Sequence, residues 1–182
     1  VVISGGQTMN PSTEDFVAAI QSLNAEHIFI LPNNSNIILA AQQAESLIED
    51  ADVRVLPTKS IPQGLSACIM FNPEVSVDEN VTEMTEAFKN VKTAMVTYAI
   101  KDTSFEGVSI NAGDYMGILG KQIICSTNDK LDATKKLLLE AVKAEDGLIT
   151  VLVGEDVSKE ELADIEAFIG EHFDHCEVEV TL

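Results

Sequence analysis

The sequence predicts an α/β protein made of two tandem α/β units. The first unit is expected around a parallel three-stranded core, and the second around a mixed sheet with β-hairpins. Three observations carry this reading. Short apolar runs alternate with segments of helical period through residues 1–71. Glycine recurs every few residues between short apolar runs from 105 to 124, and strand/helix alternation returns from 129 to the end.

In chain order, Val1–Ser4 reads as a strand. Ser12-Thr13-Glu14-Asp15 supplies an N-cap and first-turn acids, and Phe16, Ala19, Ile20 and Leu23 follow at helical spacing. His27–Leu31 is a continuous apolar run, as expected of a strand covered on both faces. A helix from Ile37 to Ile48 carries Ala40, Ala41 and Ala44, small enough to let it lie close to a sheet. Val53–Leu56 is a third strand, and 63–71 a short helix. Asn72-Pro73 breaks the chain before a helix that opens at Val77-Asp78-Glu79-Asn80 and runs through Met84, Ala87 and Phe88. A boundary near 90 would leave 1–90 as an α/β subdomain and 91–182 as a second one with a mixed sheet. There, Thr93–Ile100 is a strand, the glycine-rich 105–124 forms hairpins, and helix 129–143, strand 148–153, helix 158–172 and strand 176–181 follow. Ser158-Lys159-Glu160-Glu161 is a capping box.

Composition narrows the function. With 182 residues, 46% of them hydrophobic and 23% charged, the chain can bury a real core. The net charge of −19 is spread evenly, with 12 acids and 3 bases in residues 1–91 against 18 and 8 in residues 92–182. Such a field repels nucleic-acid phosphates and anionic lipid headgroups and favours a partner with a basic surface. No apolar run reaches the ~18–20 residues of a membrane span, and no signal segment opens the chain. Cys68, Cys125 and Cys176 are far apart and form no C-x-x-C; Cys68 and Cys125 sit in apolar contexts and read as buried, reduced thiols of a cytoplasmic protein. The start at Val1, not Met, reads as a piece of a longer protein.

The candidate site comes from topology. In a parallel sheet every strand-to-helix loop emerges at the carboxyl ends of the strands, where ligands bind. Three such loops bring Gly5, Gly6, Gln7, Thr8 and Asn10, then Asn33, Asn34 and Asn36, then Thr58, Lys59, Ser60 and Gln63 to one face. Glycine permits tight turns, and the amides offer paired donors and acceptors suited to a peptide backbone or a polar ligand. Lys59 is one of three bases in the first half and would be the local charge anchor. Any one of these loops is explained by turn and capping chemistry. Three long, nearly uncharged ones in so acidic a chain read together as a binding surface. His27 reads as a core or strand-edge histidine, and Asp102 and Asp114 as turn residues. His172, His175 and Cys176 match no strong zinc spacing. No phosphate loop, Ser/His/Asp set or carboxylate pair can be argued from spacing, so no catalytic residue or metal ligand is assigned.

Ser4-Gly5-Gly6-Gln7-Thr8-Met9-Asn10-Pro11-Ser12, Ile30-Leu31-Pro32-Asn33-Asn34 with Asn36-Ile37-Ile38-Leu39-Ala40, and Pro57-Thr58-Lys59-Ser60-Ile61-Pro62-Gln63-Gly64 closely resemble the C-terminal region of bacterial fatty acid kinase catalytic subunits, the dihydroxyacetone kinase-like proteins. Asn90–Thr93, Val96–Ala99, Asp102-Thr103, Gly113–Ile118 and Gly154–Ser158 extend the match in the same order. The resemblance implies a non-catalytic region that docks a DegV-like fatty-acid-binding protein, while a separate N-terminal domain binds ATP and magnesium and phosphorylates the acyl carboxylate. It also implies a fold related to DegV, no cofactor in this segment, a possible homodimer of the parent protein, and a Gly-Gly-Gln-Pro-containing tail beyond the final strand. The related glycerone-binding subunit holds dihydroxyacetone through a histidine, and that residue matches none of His27, His172 and His175. Two other readings stand beside docking: a small-molecule site for a dihydroxyacetone-like or acyl ligand on the same loops, and a structural or dimerising domain.

Overall fold

The computed structural model describes residues 1–5, 10–105 and 107–181. The chain is α/β, with parallel and antiparallel sheets, and divides into two compact units, Val1–Val91 and Lys92–Leu182.

The first unit contains α1 (Thr13–Ser22), β1 (His27–Ile30), α2 (Ile38–Leu47), β2 (Asp52–Val55), α3 (Ile61–Ile69) and α4 (Val77–Lys89). Strands β1 and β2 are parallel, in register from His27↔Asp52 to Ile30↔Val55. Side chains alternate across a strand, and here the alternation divides two cores. Ile28, Ile30, Val53 and Val55 pack with Phe16, Ile20, Ala41 and Ala44 from α1 and α2. Phe29, Leu31 and Leu56 pack with Ala67, Met84 and Phe88 from α3 and α4. Helices therefore cover both faces, as the apolar run at 27–31 predicts. The expected three-stranded core contains two paired strands among the described residues. Val1–Ser4 joins no ladder: Val1 and Val2 are exposed, and only Ile3 rests against the core, too little burial to hold a strand in register.

Local chemistry sets the helix starts. Ser12 and Asp15 form a reciprocal capping box, and Ser60 and Ser76 cap α3 and α4. The α3–α4 connection is pinned by Asn80, which is 3% exposed. Its side chain accepts from the Asn72 N–H at 2.8 Å and donates to the carbonyls of Asn72 at 2.8 Å and Ser76 at 3.3 Å. A buried amide with these bonds is stabilising where an unbonded one would not be.

The second unit contains β3 (Ala94–Tyr98), β4 (Thr103–Phe105), β5 (Val108–Ile110), β6 (Tyr115–Leu119), β7 (Gln122–Thr127), α5 (Lys130–Ala141), β8 (Leu148–Leu152), α6 (Lys159–His172) and β9 (Glu177–Thr181). β4–β5 and β6–β7 are the antiparallel hairpins predicted by the glycine spacing, and β3 pairs with β6. A bulge follows Gly117, whose missing side chain matters: a Cβ there would lie 2.9 Å from Cys125 Sγ and 3.2 Å from Leu137 Cβ. Its absence lets α5 lie close against β6. β8 and β9 are parallel, and Ile149 and Val151 join Ile165, Ile169 and Phe173 in the core under α5 and α6.

Candidate functional site: the strand-to-helix loops of the first unit

The loops after β1 and β2 meet through Asn33 and Thr58. The Thr58 hydroxyl is fully buried; it donates to Asn33 Oδ1 at 2.8 Å and accepts from the Asn33 N–H at 3.1 Å. Asn33 sits at φ 57°, the left-handed region that asparagine tolerates better than most side chains. Its amide lies over Gly64, in the first turns of α3. A Cβ on Gly64 would overlap Asn33 Oδ1 and sit 2.7 Å from both Cγ and Nδ2. Three residues from three places thus form one clamp: a left-handed asparagine, a buried hydroxyl and a helix position with no side chain.

The rest of the polar chemistry divides into spent and unspent groups. Asn34 Oδ1 accepts from the Asn36 N–H at 2.9 Å, an Asx turn leading into α2. Gln63 Oε1 accepts from the Lys59 N–H at 2.8 Å, while Ser60 Oγ, the N-cap of α3, accepts from the Gln63 N–H at 3.4 Å. Asn33, Thr58, Ser60 and Gln63 therefore build the face. Asn34, Asn36 and Lys59 are exposed on it, and among the described residues no carboxylate pairs with the Lys59 ammonium. Gly5 and Asn10 are exposed and make no hydrogen bond to the other two loops among the described residues. Gly6, Gln7 and Thr8 lie outside the described residues. No motif or spacing singles out Gly64 or Asn80. The one signal for Gly64 is a glycine early in a helix, where alanine is favoured.

Other polar groups serve local structure. His27 is an exposed strand-start histidine, its Nδ1 3.6 Å from Asp52. His172 Nδ1 is 3.0 Å from the Phe168 carbonyl, His175 Nε2 is 3.2 Å from the Lys143 carbonyl, and Cys176 Sγ donates to the Asp146 carbonyl at 3.1 Å. These three side chains address separate backbone atoms. Burial pushes the Cys176 thiol up, aided by the Asp146 charge. Cys68 is exposed, and Cys125 half-buried, in contrast to the expectation of buried thiols; α3 turns its cysteine outward. Asp102 accepts from the Ala112 N–H at 2.7 Å, and Asp114 from Asn111 and Ser126, as turn residues do. Among the described residues no group of three His, Cys, Asp or Glu side chains is placed to hold a metal ion. An open cleft of about 680 Å³ lies at the other end of the sheet, before β1 and β2, lined by Ile20, Leu23, Ile28, Leu47 and Ile48 among others. Among the described residues no helix is long and apolar enough to cross a membrane.

Known proteins share this architecture. The FakA-like C-terminal family model, which describes a fatty acid kinase component, matches residues 1–181. Protein YloV of Bacillus subtilis (strain 168) is 49% identical over 180 residues, which are 99% of this chain and 32% of that protein. An uncharacterized protein of Staphylococcus aureus (strain USA300) is 40% identical over 179 residues, 98% of this chain and again 32% of that protein. The chain thus spans about a third of the length of these relatives. Among solved structures, the DegV family protein Cg2579 of Corynebacterium glutamicum superposes with a TM-score of 0.66 at 14% identity, over 100% of this chain and 80% of that one. At that identity the likeness is one of fold.

Proposed function

Because the chain belongs to the FakA-like C-terminal family of fatty acid kinase components, we propose that it is a docking region for a DegV-like fatty-acid-binding protein. The partner would present an acyl carboxylate to a kinase domain elsewhere in the parent protein. That domain would bind ATP and magnesium and transfer the γ-phosphoryl group to a carboxylate oxygen, giving acyl phosphate and ADP. This chain contributes recruitment and no chemistry, and the setting is cytoplasmic.

The observation that carries the reading is the braced loop face: the Asn33–Thr58 clamp holds two loops, while Lys59, Asn34 and Asn36 stay exposed. Rigid loops bearing unspent polar groups lose little entropy on binding. A face poor in aromatic and Arg side chains fits a transient, polar contact. The acidic field around it favours a partner with a basic rim and a salt-sensitive association rate.

Calorimetry of this chain with its cognate DegV-like protein tests the proposal. Asn33→Ala would disturb the clamp, so the informative variants are Lys59→Ala and Asn36→Ala. Each is expected to weaken binding about three- to tenfold without altering Tm, with weaker binding at higher salt. Absence of wild-type binding, or binding indifferent to both substitutions, sinks the assignment to this face. A thermal-shift response to dihydroxyacetone or fatty acid in place of protein binding would favour a small-molecule site.

A further inference from the structure

The cleft before β1 and β2 gathers negative charge above an apolar floor. Helices α1 and α2 both end here: the cleft takes in Ile20 and Gln21 of the one, Leu47 of the other, and the C-cap residues Leu23 and Ile48. A helix C-terminus carries roughly half a negative charge on its unpaired carbonyls, and Lys or Arg in the last turn ordinarily answers it. Neither last turn holds a base. The rim adds carboxylates instead, Glu26, Glu49 and Asp50, all exposed. Among the described residues none of the three pairs with a base. The cations of this unit are elsewhere: Arg54 is held by Asp52 and Asp78, Lys89 by Glu86, and Lys59 stands on the loops at the opposite end of the sheet. Below the rim, Ile20 and Ile28 close the floor, Leu23 and Ile48 are half-buried, and Leu47 is 66% exposed. A shallower groove of about 300 Å³ continues from Gln21 and Leu47 along α1, past Val17 and Ala18 to Glu14.

We propose that this cleft docks a peptide segment of a partner protein that carries Lys or Arg beside large apolar side chains. Charge complementarity selects the occupant. A guanidinium or ammonium placed there meets three carboxylates and two helix C-termini, while its apolar neighbours cover Leu47 and the groove beside Val17. A fatty acid could use the apolar part, but its carboxylate would sit among like charges. Nucleic acid and anionic membrane meet the same repulsion. Shape agrees. An open cleft of about 680 Å³ with a groove running out of it suits a few residues of extended chain, whereas small molecules are bound in sites that enclose most of their surface. The cleft and Lys59 lie at opposite ends of β1 and β2, so this is a second surface and stands or falls independently of docking on the loops.

Fluorescence polarisation with a labelled Arg-Leu-Arg-Leu peptide tests it, beside Arg-Ser-Arg-Ser and Glu-Leu-Glu-Leu peptides. The first is expected to bind with a Kd on the order of 10–100 µM and to weaken as salt is added. The serine peptide should bind at least about fivefold more weakly, and the glutamate peptide not at all. Glu49→Gln combined with Asp50→Asn should weaken the Arg-Leu peptide about five- to tenfold. Leu47→Ser should weaken it about fivefold at every salt concentration. Asp164→Asn combined with Glu166→Gln removes the same charge from exposed positions on α6 and should leave binding unchanged, as should Lys59→Ala on the loop face. The substituted side chains are all exposed, so the fold should survive, with circular dichroism as the check. No saturable binding below ~1 mM overturns the proposal. Equal binding of the serine peptide, or equal loss from the α6 pair, overturns it too, by reducing the effect to general attraction to an acidic protein. Binding by this chain that vanishes in the parent protein also overturns it, by assigning the cleft to another part of the parent.

Discussion

Gly64→Ala should destabilise the first unit by about 3 kcal/mol, in a direction opposite to helix propensity. The added methyl overlaps Asn33 Oδ1, and the Asn33 amide cannot move aside without leaving the fully buried Thr58 hydroxyl no acceptor for its proton. An unsatisfied buried hydroxyl costs ~1–3 kcal/mol, and forcing packed groups apart adds ~1–3 kcal/mol. Alanine for glycine inside a helix returns ~1 kcal/mol. Urea denaturation followed by circular dichroism reads the balance; at a slope of ~2 kcal/mol/M the midpoint should fall by roughly 1.5 M. Hydrogen exchange of the α3 amides assigns the loss to this unit. A double-mutant cycle isolates the mechanism. Asn33→Gly keeps the left-handed backbone accessible while removing the obstructing amide. In that background Gly64→Ala should be neutral or stabilising by up to ~1 kcal/mol. Equal cost in both backgrounds, or a Gly64→Ala protein as stable as wild type, would refute the clamp.

Asn80→Ala should cost about 1–3 kcal/mol by stripping the Asn72 N–H of its partner in the α3–α4 connection, read as a urea-midpoint shift; an unchanged midpoint would show that water replaces the amide. Gly117→Ala should cost about 1–3 kcal/mol through the Cys125 contact and be partly rescued by Cys125→Ala, which vacates the colliding sulfur. Alkylation by iodoacetamide followed by mass spectrometry should modify Cys68 first and Cys176 last, since Cys68 is exposed while burial raises the Cys176 pKa. Acid should destabilise the fold in a defined window. The Lys92 ammonium and the Lys143 N–H hold the Asp146 carboxyl below its ordinary value. The Asn111 N–H and amide, with the Ser126 hydroxyl, do so for Asp114, and Arg54 does so for Asp52. A carboxyl with a depressed folded pKa binds more protons when unfolded, so its contribution is complete above about pH 4 and is lost as pH falls through the lower folded value. Tm should therefore be lower at pH 3 than at pH 5, and the reverse order would mean that relief of acid–acid repulsion outweighs these bonds.

The sequence by itself determined the parts of this protein whose physics is local. Helix starts at Ser12 and Ser158 are visible because a cap is a bond between a side chain and a backbone N–H three residues on; α3, expected over 63–71, begins at Ile61 behind a Ser60 cap. The β4–β5 and β6–β7 hairpins are visible because a tight turn and its glycine lie between strands adjacent in the chain. The parallel pairing of β1 and β2 followed from the intervening helix, which a parallel connection requires. Tertiary structure alone decided what depends on partners far apart in sequence. Thr58 and Asn33 are 25 residues apart, and nothing in either loop announces that one completes the other's bonding. That clamp turned part of the expected binding surface into scaffold and left Lys59, Asn34 and Asn36 exposed. Val1–Ser4 has the composition of a strand, yet its valines find too little to pack against. Cys68 stands in an apolar run, but burial is a property of a face, and the side of α3 that meets the core is chosen by the fit of Gly64 and Ala67 beneath it. Local bonds are written in neighbouring residues; burial and long-range satisfaction exist only once the chain has brought distant residues together.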